Sequence, residues 1–217
     1  MMKKGIILDW LQTVNWMAFI LSFAIAVPLL VRPFYYAHIE PMHLEEYSGF
    51  SKEEIRESYD EMMDFCVFGK PFGTGKLKYS EDGKSHFEDV AKLFRLDFIV
   101  LAVSSALLVL FKVLENRGIR ADYKLHTPRY KGAVGLLAGG VLLASACAID
   151  FDKAFVTFHH IFFPGKTNWI FDYRTDEIIM ILPEEFFRNC AILIVAVMLV
   201  LCAFFIITEN RKLRNRV

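Results

Sequence analysis

Histidine is the side chain best suited to move protons at neutral pH, and five of the six in this chain cluster in two stretches: His38, His43 and His86 in one, His159 and His160 in the other. His86 stands in Ser85-His86-Phe87-Glu88-Asp89. Ser85 followed three residues later by Glu88 reads as a capping box, which puts His86 in the first turn of a helix. The positive end of the helix dipole there disfavours imidazolium and keeps a neutral base available, and Asp89, one turn on, is placed to orient the ring. The second pair lies in Phe158-His159-His160-Ile161-Phe162-Phe163, with Trp169, Phe171, Asp172, Tyr173 and Asp176 following. Three arginines, Arg32, Arg95 and Arg188, each border an apolar run. They read either as guanidiniums snorkelling to headgroups or as donors that orient an anionic or carbonyl-rich headgroup and stabilise developing negative charge. Zinc held by His86, His159 and His160 would lack HExxH spacing, and no Ser or Cys stands in a nucleophile motif near these histidines.

The elements that must position these groups follow from the composition. The chain has 217 residues, 55% of them hydrophobic, with 25 basic and 25 acidic side chains segregated into separate stretches. Such alternation marks a chain solvated partly by lipid and partly by water. Four apolar runs, about 10–31, 98–114, 133–149 and 191–207, each approach the roughly 20 residues needed to cross a bilayer. The fold class expected is an all-α membrane protein, residues 1–217 forming a single integral membrane domain of four transmembrane helices. The first run, behind Lys3 and Lys4, is long for a secretory h-region and reads as an uncleaved anchor. Arg117, Arg120, Lys124, Arg129 and Lys131 separate the second and third runs, and Arg211, Lys212, Arg214 and Arg216 follow the fourth, which places both termini in the cytoplasm.

That topology exports segments 34–94 and 151–187, too long for simple connectors, as a cap of short helices. Ser51 with Glu54 opens one helix, to about Phe65, with Ile55, Tyr59, Met62 and Cys66 on one face. Gly69, Pro71, Gly73 and Gly75 mark a turn-rich loop, and Lys76 to Ser80 read as a short strand, part of a strand pair. Phe34, Tyr35 and Tyr36 are placed to face the aromatic run around Trp169 and to form a confined pocket with it. Gly135 and Gly139, in GxxxG spacing, read as a site of close helix packing. The cysteines, Cys66, Cys147, Cys190 and Cys202, have neither CxxC nor disulfide-framework spacing, and no basic stretch carries the interleaved aromatics of a nucleic-acid binder.

In order and placement, three groups of residues resemble the bacterial lipoprotein intramolecular transacylases (Lit) over nearly the whole chain. They are Arg32-Pro33-Phe34 after the first span, Ser85-His86-Phe87-Glu88-Asp89-Val90 before the second, and Phe158-His159-His160-Ile161-Phe162-Phe163 with Trp169, Asp176 and Leu182-Pro183-Glu184 before the fourth. The resemblance implies a bacterial cell-membrane enzyme whose partners are membrane lipid and a diacylglyceryl-modified apolipoprotein with a free N-terminal cysteine. It would move the sn-2 acyl chain onto the α-amine of that cysteine without a cofactor, with His86 and His159 as catalytic residues. His160, adjacent to His159, leaves the second assignment open. Arg32, Phe34, Tyr35, Arg95, His160, Phe162, Trp169, Asp176 and Arg188 are the residues expected to bind substrate. The competing reading is a membrane scaffold whose acidic cap, thirteen acidic against seven basic residues in 34–94, binds a partner. A transporter fits less well, since the spans carry no deep ionisable residues and no pair of broken helices.

Overall fold

The computed structural model describes residues 2–123 and 126–214, with side chains placed for all of these except 2–4, 143, 146–148, 212 and 213. Lys124 and Arg216, counted above among the basic flanks, lie outside the described residues, as do the side chains of Lys3, Lys4, Cys147 and Lys212. The chain forms α1 (Met2–Leu30), α2 (Arg32–Tyr36), α3 (Leu44–Ser48), α4 (Lys52–Phe68), α5 (Glu81–Asn116), α6 (Pro128–Ile149), α7 (Phe151–Phe162), α8 (Ile178–Ile181) and α9 (Glu184–Arg214). No strand occurs among the described residues. The strand expected at Lys76 to Ser80 is instead irregular chain after a turn at Gly75, tied by two bonds: Lys78 N donates to a Glu177 carboxylate oxygen and Glu177 N donates to the Lys78 carbonyl. One residue paired in this way does not extend into a ladder.

Three helices are long and apolar enough to cross a membrane: Gly5–Leu30, Glu81–Asn116 and Glu184–Arg211. At 1.5 Å per residue the 26-residue Gly5–Leu30 segment rises about 39 Å, more than the ~30 Å hydrocarbon layer. The third apolar run is also helical, as α6. Val31 separates α1 from α2, where Pro33 at the start of the new helix lacks the N–H that would continue the ladder.

Two compact units emerge. The first comprises the described parts of Met1–Ala26, Asp97–Ser145 and Leu193–Val217. Its buried apolar centre is Ile20, Ala24, Ala133, Met198 and Cys202. Polar contacts fasten the helices: Lys131 Nζ to Asp9 at 2.5 Å, Asn15 Nδ2 to the Ser104 carbonyl at 3.1 Å, and Thr127, through N–H and hydroxyl, to Glu209 at 2.9 Å. Close packing uses other glycines than the GxxxG spacing suggests. A Cβ on Gly132 would meet the Thr13 carbonyl at 3.0 Å, and one on Gly140 would collide with Met198, whereas Gly139 has open space around it. Which face of α6 packs is set by its neighbours, and that face carries Gly132 rather than Gly139.

The second unit, Val27–Leu96 with Ala146–Ile192, has its own core. The predicted capping box is present: Ser51 Oγ accepts from Glu54 N, and the Glu54 carboxylate accepts from Ser51 N at 3.0 Å. Ile55, Tyr59, Met62 and Cys66 are the buried face of α4, as their spacing requires. Tyr35 is fully buried, stacks on Tyr59 at 3.7 Å and donates its hydroxyl to the Ile181 carbonyl at 2.8 Å.

α5 begins earlier than Ser85. Ser80 caps it, its Oγ accepting from Gly83 N at 3.0 Å, and Glu81 and Asp82 fill the acid-favouring first turn. The reason lies elsewhere in the chain. The buried Asp176 carboxylate accepts from Ser80 N at 2.8 Å and Ser80 Oγ at 2.9 Å, with Thr175 Oγ1 donating at 2.8 Å. It approaches Gly83 so closely that a Cβ there has no room. Glycine, a poor helix former, is needed here for this approach. Asp176→Ala is therefore expected to fray the start of α5 and lower stability by about 1–3 kcal/mol, read as a drop in the thermal unfolding midpoint in detergent.

Candidate functional site

Within the second unit, the early turns of α5 and the last turns of α7 bring two histidines together. The ring centroids of His86 and His159 lie 5.8 Å apart with planes inclined by 30°. Each residue is 6% exposed. Aromatic rings enclose the pair: Phe163 at 5.1 Å and Phe171 at 5.5 Å from His86, and Phe155 at 4.3 Å and Trp169 at 4.5 Å from His159, with Trp169 stacked on the imidazole. α7 presents His159 because Asp150 caps its start, accepting from Lys153 N at 2.9 Å, and because one helical turn separates Phe155 from His159.

The ring nitrogens are inequivalent. His159 Nδ1 lies 2.8 Å from the Phe155 carbonyl, which can only accept, so Nδ1 carries the proton and Nε2 keeps a lone pair. His86 Nδ1 is buried without a partner among the described residues. His86 lies in the polar N-terminal turns of α5, before the apolar stretch that begins near Leu96. Burial first, and then the neighbouring His159, push its pKa down to about 4 from the ordinary 6.5; burial also lowers that of His159. This revises the reason for a neutral His86. With Ser80 as the cap, the residue is in the second turn, beyond the reach of the first-turn dipole effect, and desolvation does the work. Asp89 does not orient the ring. Its carboxylate is taken by Lys166 and by Lys92 at 3.1 Å, and Asn168 Nδ2 lies 3.5 Å away.

Of the residues expected to bind substrate, Trp169 and His160 accompany the pair. His160 is exposed and meets Trp169 edge-on at 5.8 Å. Phe162 is half exposed on α7, against Phe158 at 4.6 Å. The others are placed differently. Arg32 is paired with Asp60 at 3.0 Å and with Asp64. Phe34 packs against His38 and Phe186, Tyr35 is in the core, and Asp176 holds the start of α5. Arg188 pairs with its helical neighbour Glu185 at 2.7 Å, and Arg95 is exposed on α5. His38 bonds the Phe34 carbonyl, and His43 is an exposed residue opening α3. Lys166 and Asn168, which no motif singled out, are brought in by the turn after α7, where Gly165 takes φ +73°. Among the described residues, no group of three or more His, Cys, Asp or Glu side chains is arranged to hold a metal.

The sequence model described as Lipoprotein intramolecular transacylase Lit matches residues 10–187, most of the chain. The chain belongs to the Lit family. A solved structure of the membrane integral Lit from Bacillus cereus is similar at TM-score 0.82 and 25% identity, covering 95% of this chain and 98% of that one. Two B. cereus Lit variants with one histidine replaced are also similar. The arginine variant has TM-score 0.77 and 24% identity over 97% of this chain and 94% of that one. The alanine variant has 0.76 and 25% over 95% and 96%. No curated protein sequence matches the chain. The chain is thus a membrane protein of a transacylase family, all-helical in its described residues, and the substitution of a histidine in those relatives fits a reaction carried by histidine.

Because the unfolded chain takes up protons at the ordinary histidine value and the buried rings do not, the contribution of His86 to stability is complete above about pH 6.5 and is lost as pH falls toward 4, and that of His159 also declines as pH falls below the ordinary value. Histidine-selective NMR in detergent should find His86 still neutral at pH 5.5; protonation near 6.5 would contradict the burial argument.

Proposed function

We propose that this chain transfers the sn-2 acyl chain of a diacylglyceryl-modified N-terminal cysteine to the α-amine of that same cysteine, leaving the lyso-form lipoprotein. The observation that carries the reading is the pair of buried imidazoles 5.8 Å apart in one aromatic enclosure. The reaction exchanges an ester C–O bond for an amide C–N bond and moves one proton from nitrogen to oxygen. The amine attacks the ester carbonyl, a histidine accepts its proton, and collapse of the tetrahedral oxyanion expels the glyceryl oxygen, which takes a proton from the pair. At the end both rings are as they began.

His159 Nε2, with its lone pair set by the Nδ1–H bond to Phe155, is the better base. An α-amine near ~7.7–8.0 is mostly protonated in water at neutral pH, so it first gives up one proton to bulk water and enters the nitrogen-to-oxygen transfer as the neutral amine. A positioned base contributes typically ~10²–10⁴ in rate, and holding donor and acceptor of one molecule in register contributes more, since effective molarities reach ~10⁵–10⁸ M. Trp169 and Phe171 exclude water that would hydrolyse the ester, and Phe162 and His160 on the exposed side of α7 meet the lipid. Residues 1–217 act as a single membrane domain: four spans, α6 being the third, anchor the chain with both termini cytoplasmic, and segments 34–94 and 151–187 lie on the outer side. That orientation puts the histidines on the side where mature lipoprotein N-termini are found.

Co-expression with a diacylglyceryl lipoprotein, followed by mass spectrometry of its N-terminal peptide, tests the reading. His86→Ala and His159→Ala are expected to lower conversion by at least ~10² each, with His160→Ala milder. Full conversion by His159→Ala would overturn the assignment of that residue, and an unchanged lipoprotein with the native chain would favour a non-enzymatic scaffold.

A further inference from the structure

Two buried polar atoms on the segments that carry the histidine pair and its Trp169 wall have no partner among the described residues, His86 Nδ1 and Asn168 Oδ1. Buried acceptors are ordinarily satisfied, and leaving one unpaired costs about 1–3 kcal/mol. Asn168 is unable to relieve its own by turning over. Its Nδ2 faces a carboxylate oxygen of Asp89 at 3.5 Å and Ser85 Oγ at 3.4 Å, and a flipped amide would set carbonyl oxygen against carboxylate. Lys166 and Lys92 hold Asp89 in place, so the orientation of the amide is inherited from an ion-paired anion. Ser85 and Asp89 lie on one face of α5, at positions −1 and +3 from His86. Asn168 immediately precedes Trp169, which stacks on His159. The unpaired carbonyl oxygen thus belongs to a residue tied to both histidine segments.

We propose that Asn168 Oδ1 is the acceptor that holds the substrate α-amine. The inference rests on the acyl-transfer reading and adds to it a residue that recognises the nucleophile. The neutral primary amine offers two N–H donors and a lone pair. One N–H goes to His159 Nε2, which takes that proton as the amine attacks, and Asn168 Oδ1 receives the other, so that the nitrogen lone pair is turned in a fixed direction. An N-acylated cysteine keeps a single N–H and has no basic lone pair. Asn168 therefore favours the free-amine substrate over its own N-acylated product and assists product release.

The test separates amine recognition from turnover. Binding to the purified full chain in detergent is measured for two non-reactive lipopeptides whose glyceryl esters are replaced by ethers, one with a free α-amine and one N-acetylated. The native chain should prefer the free amine. Asn168→Ala and the nearly isosteric Asn168→Leu should each weaken free-amine binding by roughly tenfold or more while leaving the N-acetyl lipopeptide within about twofold. Asn168→Leu preserves the volume and supplies the result where the smaller side chain destabilises the turn; thermal unfolding reports which variants are folded. A folded variant that retains the native preference, while the native chain converts the ester lipopeptide, overturns the role of Asn168 and leaves the transacylase reading intact. Failure of the native chain to convert the ester lipopeptide overturns that reading and the inference with it.

Discussion

Burying two imidazoles beside one another is the constraint on which the site depends. A charged imidazole in that enclosure would have to give up its hydration and sit against a second titratable ring, so burial favours the neutral form of both rings. Neutral imidazole is amphoteric, the property that acid–base catalysis asks of a residue that both accepts and returns a proton. The aromatic shell has a double effect. Phe155, Phe163, Trp169 and Phe171 supply apolar area that stabilises the unit, and the same area lowers the polarity around the rings.

Such an enclosure needs its walls fixed, and carboxylates fix them. Asp176 binds the start of α5 to the connector that precedes α8, and Asp89 binds the third turn of α5 to Lys166 in the turn after α7. Asp176 is buried and accepts from backbone as well as side chains, the kind of charged hydrogen bonding that contributes about 1.5–3 kcal/mol per bond. Lys166 is nearly half exposed, so its pairing with Asp89 is screened by solvent and contributes geometry more than energy. Arg32 with Asp60 and Asp64 does similar work between α2 and α4. Several side chains whose charge suggested ligand binding are therefore the fasteners of the scaffold.

In the other unit, the ionisable residues Asp9, Lys131 and Glu209 fall just outside the apolar runs and find partners on other helices. The helix ends are thereby fixed by polar contacts, while small residues and methionine adjust the packing between them, as the close approaches at Gly132 and Gly140 show.

The sequence by itself determined whatever is encoded within a few turns of chain. The apolar runs became helices because their length and composition require it, the capping box at Ser51 and Glu54 formed because both partners are three residues apart, and the buried face of α4 follows from its 3.6-residue period. The two histidine segments were legible through their resemblance to Lit, with Phe155 and His159 one turn apart. Tertiary structure decided the rest. α5 starts at Glu81 and not at Ser85 because Asp176, 96 residues on from Ser80, completes the cap. Tyr35 is a core residue because the Ile181 carbonyl, 146 residues away, takes its hydroxyl. Asn168, in the turn after α7, is held beside α5 by Asp89 and Ser85, 79 and 83 residues earlier in the chain. A side chain's type and local spacing state what it is able to do, but its partner fixes whether it binds substrate or fastens the scaffold, and partners this distant in sequence are chosen only when the chain has folded.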